Sequence, residues 1–106
     1  MKATSEARER LLAELEFVQL LACPGYLHSL ASKGYFDDAR FVKYLAYLQY
    51  FRDPSYAALL RFPNALHSLE LLQLQSFRNE CKSPGFEGRF AEQLRTALRD
   101  DGNGSS

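Results

Sequence analysis

Four side chains in this 106-residue chain have the chemistry of a metal site or a thiol nucleophile: Cys23, His28, His67 and Cys81. Thiolate sulfur and imidazole nitrogen are the usual zinc ligands. A cysteine activated by a neighbouring histidine is a standard nucleophile. The spacing argues against both. Cys23 and His28 are five apart, no compact zinc spacing occurs, and nothing local brings Cys81 or His67 to them. The four read as two ordinary helical histidines and two buried, reduced thiols. No secretory leader is expected, because Met1 runs straight into the charged segment KATSEARER.

Acid–base chemistry fares no better. Glu14 and Glu16 are two apart and diverge by roughly 200° on a helix, which is poor geometry for shared work. Asp37 and Asp38 read as a helix cap. No glycine-rich phosphate loop is present, so neither a cofactor nor a metal is expected.

The chemistry that remains is aromatic. Between Tyr35 and Phe62 the chain reads YFDDARFVKYLAYLQYFRDPSYAALLRF, with nine aromatic rings in twenty-eight positions. Five are tyrosines: Tyr35, Tyr44, Tyr47, Tyr50 and Tyr56. A tyrosine ring is apolar, but its hydroxyl needs water or a partner. On a helical wheel Phe41, Tyr44, Leu45, Leu48 and Phe51 share the core side. Tyr47 lies at its edge, and Tyr50 nearly opposite its centre. Two readings stay open. Short helices at Pro24 and Pro54 wrap over Tyr47 and Tyr50, or these rings form a docking groove. Spaced rings can cradle prolines, and hydroxyls can bond the free carbonyls of a polyproline helix.

The elements that position these rings are all helical. A first helix is expected from Thr4 or Ser5 to just before Pro24, with Leu11, Leu15, Val18 and Ala22 in one stripe. Its early glutamates suit the positive end of the helix dipole. A short second helix, YLHSLASK, ends at Gly34. A third is capped by Asp37 and runs to about Arg52. Asp53 caps a short fourth helix with Pro54 at its first position. A fifth spans roughly Asn64 to Cys81. A last helix carries Phe86, Phe90, Leu94, Ala97 and Leu98 on one side. The expected fold is all-α: a small helical bundle of about four main helices plus short connecting helices. Residues 1–100 form one domain, and 101–106 a disordered tail.

Thirteen basic and thirteen acidic residues cancel. A nucleic-acid-binding domain normally carries a basic excess to neutralise phosphates, so a helical domain acting directly on DNA is the weaker alternative. No apolar run approaches membrane-spanning length.

At this point the motifs become specific. ELEFVQLLACPGYL, GYF, FVKYLAYLQY, DPSYAALLRFPNALHSLELLQ and FRNE follow one another between Glu14 and Glu80. In this order they closely resemble the Mediator of RNA polymerase II transcription subunit 31 family. The resemblance implies a nuclear, non-catalytic helical subunit of the Mediator middle module, without cofactor. It implies docking of the proline-rich N-terminal segment of Mediator subunit 7. The residues both in the motifs and plausible at the aromatic surface are Tyr35, Tyr44, Tyr47, Tyr50, Phe51, Arg52, Asp53, Tyr56 and His67. Tyrosines would stack on the partner's prolines, and Arg52 and Asp53 would orient its backbone. Beyond Glu80 the chain departs from the family pattern: the usual His-Trp pair is missing, and there is no tryptophan at all.

Overall fold

A computed structural model describes the backbone of residues 2–103 and the side chains of residues 5–97. Among these, the order is α1 (Lys2–Leu20), α2 (Pro24–Ser32), a 3-10 turn (Tyr35–Asp37), α3 (Ala39–Tyr47), a 3-10 segment (Leu48–Arg52), α4 (Pro54–Ala57), α5 (Asn64–Leu71), α6 (Gln75–Glu80) and α7 (Phe86–Asn103). The all-α expectation holds. The molecule is flat, with extents of 47 × 39 × 18 Å, which is room for two layers of helices.

The core is one cluster in which Val18, Leu21, Leu27, Leu45, Leu48, Phe51, Leu69, Leu72 and Cys81 are fully buried. α1 packs on α5, α5 on the 3-10 segment, and α2 on α7. The first turns of α1, Ser5 to Arg10, are exposed throughout. They project past the core as one free wall.

Four expectations need correction. The first helix begins at Lys2, so Thr4 and Ser5 lie inside it, and it ends at Leu20. The cap of α3 is Asp38, whose carboxylate accepts from the Arg40 N–H at 2.9 Å. Asp37 is in the preceding 3-10 turn and pairs with Lys82 at 2.7 Å. Both acids can cap; Gly34, at φ 86°, turns the chain so that the second one faces the helix.

The third and fifth helices are each broken. The third tightens at Leu48 into 3-10 winding. The fifth stops at Leu71, and Leu74 is extended (φ −96°, ψ 126°). Breaking a helix frees carbonyls that must find donors. The Gln73 side-chain amide donates to the carbonyls of Leu45 (3.1 Å) and Leu69 (3.0 Å), and Arg78 donates to that of Leu72 (2.6 Å). One glutamine thus ties the end of α3 to the end of α5. Only the Gln73–Leu45 bond is long-range; the donors to Leu69 and Leu72 stand four and six residues further along the chain.

α7 is held by an aromatic triad. Phe86 stacks on Phe90 (5.3 Å, 17°), and Phe77 meets both edge-on (5.8 and 5.3 Å). The helix therefore reaches Asn103, past the start of the expected tail; residues 104–106, and the Leu98 side chain, lie outside the described residues.

Two substitutions probe this core. Phe51→Ala is expected to cost about 3–5 kcal/mol in urea unfolding, as for a fully buried aromatic ring. A loss below about 1 kcal/mol would mean Phe51 is not central. The Ser68 hydroxyl is buried with no hydrogen-bond partner, so Ser68→Ala should be neutral or stabilising. A clear destabilisation would show a bond formed in solution.

Candidate interaction surface

The 3-10 winding decides where the tyrosines point. At 3.0 residues per turn, residues three apart lie directly above one another. Leu48 and Phe51 therefore share one line, and both are fully buried. Tyr47 and Tyr50 share the next. In continuous α-winding the two rings would be offset by about 60°.

Both hydroxyls of that line donate to one atom, Glu14 Oε1, at 3.1 Å from Tyr47 and 2.6 Å from Tyr50. Glu14 is only 7 % exposed. It was expected only as one of the early glutamates that suit the helix dipole; it is a buried acceptor. Its place on the helix carried the signal: Glu14 is four residues before Val18 and seven before Leu21, both fully buried, so it lies on the core face.

A cleft of about 550 Å³ opens beside this cluster. One wall is α1: Ala7, Arg10, Leu11 and Glu14, spaced i, i+3, i+4, i+7 on one helical face, with Arg8 flanking. The other wall is Tyr47, Tyr50 and Tyr56. Tyr56, on α4, meets Tyr50 edge-on at 5.0 Å. The short helix at Pro54 thus partly covers Tyr50, as one reading had it. The helix at Pro24 does not line the cleft, and Tyr47 stays 51 % exposed.

The rings form a continuous row. Tyr35 meets Phe41 at 5.2 Å, Phe41 meets Tyr44 at 6.4 Å, and Tyr44 stacks on Tyr47 at 5.9 Å. Tyr47 meets Tyr50 at 5.5 Å, and Tyr56 follows. Phe17 of α1 supports the row, 6.0 Å from Phe41 and 5.9 Å from Tyr44. Phe51 stacks under Tyr50 at 4.5 Å with no exposed surface of its own.

The remaining candidates are less central. Arg52 and Asp53 are exposed at the junction with α4. Asp53 Oδ1 is engaged, accepting from the Ser55 N–H (3.0 Å) and hydroxyl (2.7 Å), and these bonds hold its carboxyl below the usual range. His67 is exposed on α5 and does not line the cleft. Ala7, Arg8, Arg10, Leu11 and Glu14 were absent from the sequence-based set.

The metal and thiol readings find no geometry. Among the described residues, no group of three His, Cys, Asp or Glu could hold a metal ion. His28 Nδ1 is 2.8 Å from the Cys81 carbonyl, its sulfur left aside. Burial, aided by the Glu80 charge, pushes the Cys81 thiol up to about 12, so near neutral pH it is protonated. Cys23 is exposed, against the expectation of two buried thiols. No helix among the described residues is long and apolar enough to cross a membrane.

Glu14 and the tyrosine wall lie within the family motifs, whereas Ala7, Arg8, Arg10 and Leu11 precede them; comparison with known proteins agrees on the family. The model of the Med31 (SOH1) family matches residues 8–101. This chain belongs to the Med31 family. Relatives named Mediator of RNA polymerase II transcription subunit 31 include one from Caenorhabditis elegans, 51 % identical over 92 residues, covering 87 % of this chain and 51 % of the relative. One from Danio rerio is 51 % identical over 80 residues (76 % and 59 %). One from Schizosaccharomyces pombe is 45 % identical over 87 residues (82 % and 63 %). The chain thus spans about half to two-thirds of the length of these relatives. The Med31 match also extends beyond Glu80 into α7, although the His-Trp pair is missing.

The tyrosines gathered around Glu14 have a pH signature. Burial, then the bond to Glu14 and its charge, raises the Tyr50 hydroxyl well above the ordinary tyrosine range. Burial and Glu14 also raise Tyr47 and Tyr44. Each folded-state value exceeds the unfolded one, so the stabilisation is complete below about pH 10 and is lost as pH climbs through the folded values. Absorbance titration should show fewer than six phenols ionising near pH 10 in the folded chain. Tyr50→Phe should flatten the alkaline loss of stability. Six ordinary phenols with folding intact would contradict the cluster.

Proposed function

We propose that this Med31-family domain is a non-catalytic structural subunit of a Mediator coactivator complex. In this reading it works in the nucleus, in RNA polymerase II transcription, and docks a proline-rich segment corresponding to the N-terminal part of Mediator subunit 7. The observation that carries the reading is the unbroken row of rings from Tyr35 to Tyr56, with ring centroids 5.0–6.4 Å apart. The contacting rings offer a continuous apolar surface on which proline rings can pack, and its Tyr47–Tyr56 end opens into the cleft. A polyproline II segment is already extended and makes no internal hydrogen bonds, so little ordering entropy opposes its docking.

Each candidate side chain has a part in this reading. Tyr35, Tyr44, Tyr47, Tyr50 and Tyr56 supply ring faces. Phe51 supports Tyr50 from below and touches no partner directly. Arg52 and Asp53, at the mouth of α4, orient the segment's backbone. His67 marks the α5 face as a secondary contact. The zero net charge gives no support to direct DNA binding.

Titration of the chain with a proline-rich peptide tests the proposal. Tyr47→Ala combined with Tyr50→Ala should weaken binding by about tenfold or more, equivalent to at least ~1.4 kcal/mol. Unchanged affinity in a folded double variant would place the segment elsewhere.

A further inference from the structure

We propose that Glu14 is the positioning residue of this surface, and that Arg8 and Arg10, not the tyrosine hydroxyls, donate to the docked segment's carbonyls. This rests on the docking reading above.

Glu14 is an unusual lining residue. A carboxylate this buried carries a desolvation cost of several kcal/mol unless it is hydrogen-bonded or paired. Among the described residues no cation pairs with it. Its partners are the two phenols, both on Oε1 and from positions 33 and 36 residues further along the chain. The bonds cross from α1 to the end of α3 and the 3-10 segment. Each ring is thus anchored at both ends, by its backbone and by its hydroxyl; one face of Tyr47 stacks on Tyr44 and one of Tyr50 on Phe51, and the sides left over line the cleft.

The same bonds remove the hydroxyls as donors. A phenol has a single O–H proton, and here both protons point inward to Glu14. A run of prolines has no backbone N–H and offers only carbonyl acceptors. It needs donors from the surface. The opposite wall has them: Arg8 and Arg10 both line the cleft, both are exposed, and neither is in an ion pair among the described residues. Each guanidinium carries five N–H donors. The cleft therefore divides the work: tyrosine faces take the rings of the segment, and α1 takes its carbonyls.

The test uses a short synthetic peptide with a run of prolines flanked by glycines. The chain has no tryptophan to mask its six tyrosines, so a change in tyrosine emission between wild type and a Glu14 variant reads the two phenols bonded to Glu14. Tyr47→Phe keeps the ring and leaves the shorter Tyr50–Glu14 bond in place, so it should lose no more than about threefold, while Arg8→Ala with Arg10→Ala should lose about tenfold. Glu14→Gln keeps an oxygen acceptor for the hydroxyls and should retain binding within about threefold. It should also raise tyrosine emission, because a carboxylate acceptor quenches a bonded phenol more than an amide does. Glu14→Leu, if folded by circular dichroism, should lose about tenfold. A loss in Tyr47→Phe as large as in the arginine pair overturns the division of donors. Full affinity in a folded Glu14→Leu overturns the positioning role. A wild-type chain that ignores the peptide overturns the docking reading instead. The emission of Glu14→Gln then still judges the clamp, and no change in it sinks that too.

Discussion

The arrangement of Tyr47 and Tyr50 against α1, with Leu48 and Phe51 in the core, depends on the way the chain is wound between Leu48 and Arg52. α-Winding would spread Tyr47, Leu48, Tyr50 and Phe51 around the axis. The 3-10 segment sorts them into two lines, Leu48 and Phe51 into the core, Tyr47 and Tyr50 toward α1. Such winding has poorer hydrogen-bond geometry and is seldom long. Tertiary contacts compensate: two large apolar side chains are fully buried, and Gln73 takes the Leu45 carbonyl. Asp53 then stops the segment by capping α4.

The Glu14 cluster is the polar counterpart of that packing. A carboxylate on the apolar face of α1 is unfavourable by itself, and two phenol hydroxyls at a core edge are as well. Joined, they satisfy one another and link α1 to the tightened segment. A buried polar network of this kind adds less to net stability than to uniqueness, since few other packings would satisfy all three groups. It also explains how a tyrosine row can remain partly exposed yet ordered, with Phe17 and Phe51 behind it and α4 at its end.

Family membership and geometry carry different information about this chain. The Med31 match covers the helices that build both walls of the cleft, and α7 as well. α7 lacks the tryptophan of the usual pattern, but the Phe77–Phe86–Phe90 triad holds it to the body of the fold.

Helix type, the breaks at Pro24, Gly34, Asp53-Pro54 and Ser83-Pro84-Gly85, and the concentration of tyrosine were legible from residue order. They depend on local physics: backbone dihedrals, capping and apolar period. So was the burial of Leu45, Leu48 and Phe51, which wheel geometry places on one side even with the wrong winding. Three things were decided only by tertiary structure. The Leu71–Leu74 break depends on Gln73 and Arg78 reaching carbonyls outside their own helical turn. Asp38 rather than Asp37 caps α3, because the turn at Gly34 aims Asp38 at the helix and leaves Asp37 in the 3-10 turn, where it meets Lys82. Tyr50 faces α1 rather than solvent, because Glu14 waits there as an acceptor. The Gln73–Leu45 and Tyr50–Glu14 partners are remote in sequence, and a hydrogen bond between remote groups leaves no periodic trace in either segment.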